Sequence, residues 1–230
     1  MIKVVLWDID GTLLSFKLAE RAAIAACFEK FGLGALTDGM LADYSAINAR
    51  YWKRLELGEL TKQQVLRGRF EEFFAAYGLD TSCVDDFNAE YQVRLGETVV
   101  FNDNGKELVE GLRGKVKQYA VTNGTLVAQR GKLKNSGLDR LLDDVFISDV
   151  IGIEKPNKGF FDAVFDKIGN FGPGEVLIVG DSLTSDIRGG NNAEILCCWY
   201  NPKGESVPDG FRVDYDIRNL NELPSILGLE

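Results

Sequence analysis

Short apolar runs rich in β-branched residues occur once at the start of this chain and repeatedly in its second half, and each stops abruptly. Ile2 to Trp7 runs into Asp8-Ile9-Asp10-Gly11-Thr12, and Val116 to Val121 runs into Thr122-Asn123-Gly124. Val145 to Ser148, Glu175 to Val179 and Ile195 to Tyr200 complete the series. Continuous apolar runs of this length read as strands buried on both faces. Segments with helical apolar spacing separate them, such as Phe160, Phe161, Val164, Phe165 and Ile168 behind a cap at Asn157. This alternation predicts an α/β fold, a doubly wound, mostly parallel, Rossmann-like sheet.

From about Phe16 to Leu95 the strand signal is absent and helical spacing takes over. Ile24, Cys27, Phe28 and Phe31 form one apolar stripe, and Gly32 follows as a stop. Leu66, Phe70, Phe73 and Tyr77 form a second, with a capping box at Thr61 and Gln64 before it and Gly78 at its end. The expectation is an insert of about four helices after the first strand.

The chain has 230 residues, 45% hydrophobic and 27% charged, enough for a full core in one large domain or two modest ones. A net charge of −9 argues against a nucleic-acid polymer as partner, since such proteins carry a basic face. No run approaches the length of a membrane span, and Met-Ile-Lys leads straight into the first strand without a signal-peptide pattern. The expected compartment is the cytoplasm. Cys27, Cys83, Cys197 and Cys198 form no C-x-x-C pair, and the adjacent cysteines in an apolar run read as reduced, buried thiols. The chain has no histidine. That removes Ser-His-Asp triads and phosphohistidine, and leaves acid–base work to carboxylates, lysine, tyrosine or metal-bound water.

In open parallel sheets, ligands bind beyond the carboxyl ends of the strands. Four polar groups occupy that position here: Asp8 with Asp10, Thr122-Asn123-Gly124, Lys155-Pro156, and Gly180-Asp181-Ser182 with Asp186. Each has a bland reading by itself. D-x-D-G suits a turn, a calcium loop would need a third acid and a distal Glu, T-N-G suits an N-cap, and a lysine is usually solvated. Together they converge on one crevice. Asp8 and Asp10, two apart, can project toward it, and a helix start after Thr122-Asn123-Gly124 suits phosphate. Two acids at Asp181 and Asp186 with oxygen-only chemistry favour Mg²⁺. Lys158, one turn beyond Lys155, reads as exposed.

D-x-D-G-T, T-N-G, K-P and G-D-S-x-x-x-D, in this order and at these strand ends, resemble the haloacid dehalogenase superfamily of aspartate-nucleophile phosphohydrolases. The resemblance spans almost the whole chain and includes a helical cap inserted after the first strand. It implies a core domain of residues 1–15 and 96–230 and a cap domain of residues 16–95. It further implies that Asp8 attacks phosphorus, that Asp10 protonates the leaving oxygen and deprotonates water, and that Thr122 and the Asn123 amide hold phosphate oxygens. Lys155 would offset charge on Asp8 and the phosphoryl group. Mg²⁺ would be held by Asp8, the Asp10 backbone carbonyl and Asp181, with Asp186 in direct or water-mediated support. Asp10 favours phosphoryl transfer over carbon–halogen cleavage, because dehalogenases of the superfamily generally lack that acid.

Lys155 to Asp162, Ser185 to Ala193 and Cys197 to Asn201 look like the bacterial pyrimidine 5′-nucleotidase branch. Gly11 departs from it, since that branch often carries a third acid there. The implied substrate is a small soluble phosphate ester, a pyrimidine nucleoside monophosphate foremost, with no protein partner implied. Phosphoglycolate or sugar-phosphate phosphatases and a β-phosphoglucomutase-like enzyme would share every catalytic residue, although Thr12 suits hydrolases better than mutases. A catalytically silent small-molecule binding module is the reading from another class. Of the insert's aromatics, Phe16, Tyr44, Tyr51, Trp52, Phe70, Phe73, Phe74 and Tyr77, most are expected in its core rather than against substrate.

Overall fold

The computed structural model describes residues 1–169 and 171–229. The elements in chain order are β1 (Val4–Trp7), α1 (Phe16–Phe31), α2 (Asp38–Glu56), α3 (Lys62–Ala76), α4 (Val84–Leu95), α5 (Gly105–Gly111) and β2 (Lys117–Thr122). They continue with α6 (Leu126–Ser136), β3 (Asp144–Ile147), α7 (Ser148–Ile151), α8 (Lys158–Ile168), β4 (Val176–Gly180), α9 (Arg188–Asn192), β5 (Leu196–Tyr200), β6 (Tyr215–Ile217) and α10 (Leu223–Ile226).

Among the described residues six strands form one sheet in the order β3-β2-β1-β4-β5-β6, and every neighbouring pair is parallel. β1 is central, paired with β2 from Val4 opposite Lys117 and with β4 from Val4 opposite Val176. All four of its residues are buried, because side chains alternate between two covered faces. Val5 and Trp7 pack with Leu108, Val109, Leu133 and Leu223 from α5, α6 and α10. Val4 and Leu6 pack with Phe160, Phe161 and Val164 of α8 on the other face. This is the doubly wound arrangement that the alternation of runs predicts.

The five expected strands are all present, and β6 is an addition. It has three residues, one of them buried, too little apolar sequence to read as a strand. It holds its place through the ladder to β5, Cys198 to Tyr215 and Tyr200 to Ile217.

Four helices fill the segment between β1 and α5, with a core of their own around Phe70. Phe70 stacks on Tyr44 at 5.2 Å between centroids and meets Phe87 and Tyr91 edge-on at 5.0 and 5.1 Å. Thr61 and Gln64 form the expected capping box, and Gly32 and Gly78 take left-handed backbone after α1 and α3. The buried face of α3 differs from the expected stripe. Phe70 and Phe73 are buried, but Leu66 is half-buried and Tyr77 lies past the helix end, its hydroxyl donating to Asp43 at 2.5 Å. Val65, Arg69 and Phe74 complete the buried set, because α3 is covered by both α2 and α4 and buries a wider arc than one stripe.

The two chain crossings into the helical unit run side by side. Leu14 bridges Phe101 in antiparallel fashion, Ser15 N–H donates to the Val100 carbonyl at 2.8 Å, and Asn102 Nδ2 donates to the carbonyls of Gly11 and Thr12. All four cysteines are free, and Cys27, Cys197 and Cys198 are buried. No helix among the described residues is long and apolar enough to cross a membrane.

Candidate active site

β1 ends at Trp7 and delivers Asp8 to the carboxyl end of the sheet, its N–H still paired with the Val179 carbonyl at 2.9 Å. β4 ends at Gly180 and delivers Asp181 beside it. One wide π turn, Leu183–Ile187, then brings Asp186 back toward the strand end, where its Oδ2 accepts from Ser182 N–H at 3.1 Å. From the loop before α8, Lys155 reaches in and is 1% exposed. Its ammonium donates to Asp8 Oδ1 at 2.9 Å, Asp186 Oδ1 at 2.7 Å and the Val121 carbonyl at 2.7 Å. Those three bonds use every N–H that a lysine has.

Burial, reinforced by the charge of Asp186, pushes the Asp8 carboxyl up to about 7 even though Lys155 pulls it down. Burial raises Asp186 as well, against the pull of Lys155. Burial works against the Lys155 ammonium too, but Asp186 and Asp8 outweigh it and hold its pKa above the ordinary lysine value. Asp181 is open to solvent at its edge, yet desolvation within the crevice and then the charges of Asp8 and Asp186 raise it well above the carboxylate range. Three carboxylates therefore share one site with a single buried cation.

A divalent cation fits that excess of negative charge. Asp8 Oδ2 is buried without a hydrogen-bond partner, and Asp8, Asp181 and Asp186 offer oxygens that all lie within 4.8 Å of one another. An oxygen-only donor set of this kind suits Mg²⁺. Thr12 Oγ1 orients Asp181 by donating to its Oδ1 at 3.2 Å. Gly11 has a φ of 99°, and a β-carbon there would lie 2.5 Å from Asp181 Oδ2, so a side chain is excluded by conformation and by space.

The Asp10 side chain turns away from this cluster toward α6. Gln129 Nε2 donates to its Oδ2 at 2.6 Å, and the Lys132 ammonium pairs with its Oδ1. Thr122, at the end of β2, is buried and accepts from Gly124 N–H at 3.1 Å. The Asn123 side chain ties loops together: its Nδ2 donates to the Lys155 carbonyl at 2.8 Å and its Oδ1 accepts from Lys155 N–H at 2.8 Å. Thr125 caps α6, accepting from Ala128 N–H. Lys158 is exposed and paired with Asp162, as expected of a surface lysine.

A cavity of about 520 Å³ lies between sheet and helical unit, lined by Asp10, Asn123 and Gly124 on one side and by Phe16, Glu20, Ser45, Asn48 and Trp52 on the other. Tyr44, Phe70, Phe73 and Phe74 are buried in the helical core instead, as expected of most of these aromatics. On that wall, Glu20 accepts from Ser45 Oγ at 2.5 Å and Asn48 Nδ2 at 2.8 Å, and from behind it Arg69 donates to Asn48 Oδ1 at 2.7 Å. Burial raises the Glu20 carboxyl above its ordinary value. The helical unit also touches the Asp186 turn, where Glu56 at the end of α2 accepts from Thr184 Oγ1 and from Ser182 Oγ at 3.3 Å.

Residues 2–194 match the family model described as haloacid dehalogenase-like hydrolase. The chain belongs to the haloacid dehalogenase-like hydrolases. Among its relatives, the HAD-hydrolase YfnB of Bacillus subtilis is 35% identical over 99% of this chain and 96% of its own. The pyrimidine 5′-nucleotidase PynA of Streptococcus pneumoniae is 35% identical over 96% and 93% of the two chains, and the pyrimidine 5′-nucleotidase YjjG of Escherichia coli is 29% identical over 97% and 96%. The crystal structure of YfnB bound to magnesium, described as revealing interdomain movement, superposes with a TM-score of 0.91 over 98% of both chains at 34% identity.

The family match and the pyrimidine 5′-nucleotidases among its relatives make the chain an enzyme, a phosphohydrolase of the haloacid dehalogenase-like family. Asp8, Lys155, Asp181 and Asp186 come together as the sequence implied. Gln129, Lys132, Glu20, Asn48 and Glu56 were not anticipated. For Gln129 and Lys132 a signal existed: they stand three apart on one face of α6 immediately after T-N-G, and so face the same crevice.

Proposed function

We propose that this protein is a Mg²⁺-dependent phosphatase that forms an aspartyl phosphate on Asp8 and hydrolyses small phosphate monoesters, pyrimidine nucleoside 5′-monophosphates foremost. The observation that carries the reading is the buried, unpartnered Asp8 Oδ2 beside an oxygen whose partner is Lys155. One oxygen is held by the lysine, which leaves the other for a cation or for phosphorus. PynA and YjjG, both named pyrimidine 5′-nucleotidases, support the substrate class. The cavity, with Phe16 and Trp52 on its wall, offers apolar surface for a base.

Asp8 attacks phosphorus, the bond from phosphorus to the ester oxygen breaks, and Asp10 gives that oxygen its proton. Asp10 then takes a proton from water, the water oxygen attacks phosphorus, and the bond to Asp8 breaks, releasing inorganic phosphate. Thr122 and Asn123 hold phosphate oxygens, and Lys155 offsets the charge on Asp8 and the phosphoryl group. Asp8, the Asp10 carbonyl, Asp181 and Asp186 hold Mg²⁺, which when bound supplies positive charge to the phosphoryl oxygens and the carboxylates around it. Intact Asp8, Asp10, Lys155 and Asp181 favour this reading over a silent binding module.

Residues 16–95 act as a cap domain over a core of residues 1–15 and 96–230, screening the leaving group and excluding water. Four free cysteines fit a reducing compartment, the cytoplasm. The deciding experiment is phosphate release with Mg²⁺ from nucleoside monophosphates, sugar phosphates and phosphoglycolate. A lead of about tenfold in kcat/KM for UMP or dTMP supports the nucleotidase. A lead for a sugar phosphate or phosphoglycolate keeps the chemistry and removes the substrate class, and no release from any substrate removes both.

A further inference from the structure

Lys132 lies inside a helix and is 1% exposed. A buried ammonium is costly unless it is paired. Its charged partner is Asp10 Oδ1, and the face of Phe16 lies 5.2 Å away. Gln129, one turn earlier on α6 and fully buried, donates to the other oxygen of the same carboxylate. Asp10 is thus held at both oxygens by one helix. Each oxygen has a second lone pair left over, and the Asp10 side chain, 21% exposed, is among those that line the cavity.

Two glycines adapt the surroundings to this grip. A β-carbon on Gly124 would lie 2.1 Å from Gln129 Nε2, so the glycine of T-N-G leaves room for the side chain that reaches Asp10. Gly131, between Gln129 and Lys132, allows close approach to the chain leaving α4: a β-carbon there would meet Gly96 Cα at 2.8 Å. The start of α6 is also tied to α4, because Thr125 Oγ1 donates to Gln92 Oε1 at 2.7 Å. The helix that grips Asp10 is therefore fixed at two points on the helical unit.

We propose that Gln129 and Lys132 are positioning residues that hold the Asp10 carboxylate in the orientation its two proton transfers require. The proposal rests on the acid–base role given to Asp10 above. In the first transfer Asp10 protonates the ester oxygen as its bond to phosphorus breaks. In the second it accepts the proton of the attacking water as the bond from phosphorus to Asp8 breaks. A nitrophenolate leaving group departs without a proton, so with p-nitrophenyl phosphate the first step does not need Asp10 and the second still does.

The test follows p-nitrophenyl phosphate and a nucleoside monophosphate by rapid mixing and in the steady state. Lys132→Met is expected to lower kcat for the nucleotide about 100-fold, the scale of lost general acid–base catalysis, with KM changed less than about threefold. With p-nitrophenyl phosphate it is expected to keep the initial burst of nitrophenolate while steady-state release slows. Lys132→Arg is expected to regain most of the rate. Gln129→Leu is expected to show the same pattern with about a tenfold loss, as for a modest misplacement of a catalytic group. It decides the matter if Lys132→Met does not fold.

Loss of burst and steady state together in a folded variant overturns the proposal, as does turnover within twofold of wild type for both variants. Asp10→Asn separates this from the reading beneath it. If Asp10→Asn is inactive while both α6 variants are unaffected, only the positioning role falls. If Asp10→Asn turns over at the wild-type rate, the acid–base assignment falls and takes the positioning role with it.

Discussion

A β-carbon on Gly180 would lie 2.2 Å from the Asp186 carboxyl carbon, so the last residue of β4 is the floor on which that carboxylate rests. Asp186 Oδ1 in turn meets the Lys155 ammonium, and Lys155 meets Asp8. A methyl group at position 180 therefore displaces the whole chain of contacts. Gly180→Ala is expected to cost about 1–3 kcal/mol in urea unfolding, as overpacking does elsewhere in close-packed interiors. Turnover is expected to fall about 100-fold, because the misplaced groups flank the nucleophile. Wild-type turnover would show that Asp186 can shift without consequence.

Asp8 and Lys155 should respond in opposite directions. Lys155→Met leaves Asp8 and Asp186 buried without their cation, and removal of one member of a buried pair costs about 3–5 kcal/mol. Added Mg²⁺ should restore part of that stability by supplying the missing charge. Asp8→Asn instead removes one of three crowded carboxylates, so the metal-free protein is expected to melt at or above the wild-type temperature at pH 8 while turnover is abolished. Thermal melts with and without Mg²⁺, alongside phosphate release, check both. A lower melting temperature for Asp8→Asn would mean that the Asp8 carboxylate stabilises the metal-free protein.

The strand ends and the four helices between β1 and α5 were legible because each rests on a local pattern: a short apolar run, a polar stop, a 3.6-residue stripe, a glycine with positive φ. What was not legible depends on contacts far apart in sequence. Lys132 reads as a surface lysine until α6 is folded against Asp10, 122 positions away. Arg69 interrupts an apolar stripe, yet is 1% exposed because Asn48 and Asn88 receive its guanidinium and Phe70 and Tyr91 flank it. The Asn123 side chain is engaged with the loop that carries Lys155, 32 positions away, a pairing no local pattern announces. β6 exists only by pairing with β5 and leaves almost no apolar trace.

The raised carboxyls have a consequence for the metal-free protein. Asp8, ordinarily near 3.8, titrates at about 7 when folded, and Asp181 and Asp186 are raised as well. The folded state thus holds protons that the unfolded chain releases, so this contribution to stability is complete below about pH 4 and is lost as pH rises through 7. Without Mg²⁺ the melting temperature is expected to fall by several degrees between pH 5 and pH 8. Saturating Mg²⁺ is expected to shrink that fall, since a cation among the carboxylates favours their ionised forms. Equal slopes with and without Mg²⁺ would count against these three residues as the metal site.

Glu20 offers the sharpest test of what the cavity reads. The residue is 4% exposed, its carboxylate accepts from Ser45 and Asn48, and it lines the cavity that Asp10 lines at the other side. Two bonds leave acceptor capacity on a carboxylate, and the imide N–H of uracil or thymine is a donor that could use it. Glu20→Gln keeps the shape and replaces one acceptor oxygen with a donor. For UMP or dTMP, kcat/KM is expected to fall about tenfold, close to 1.4 kcal/mol of transition-state binding. With p-nitrophenyl phosphate, which has no such edge, the same variant is expected to stay within about twofold of wild type. A matching loss on both substrates would make Glu20 a support of the helical core, held there for Asn48 and Arg69, rather than a reader of the base.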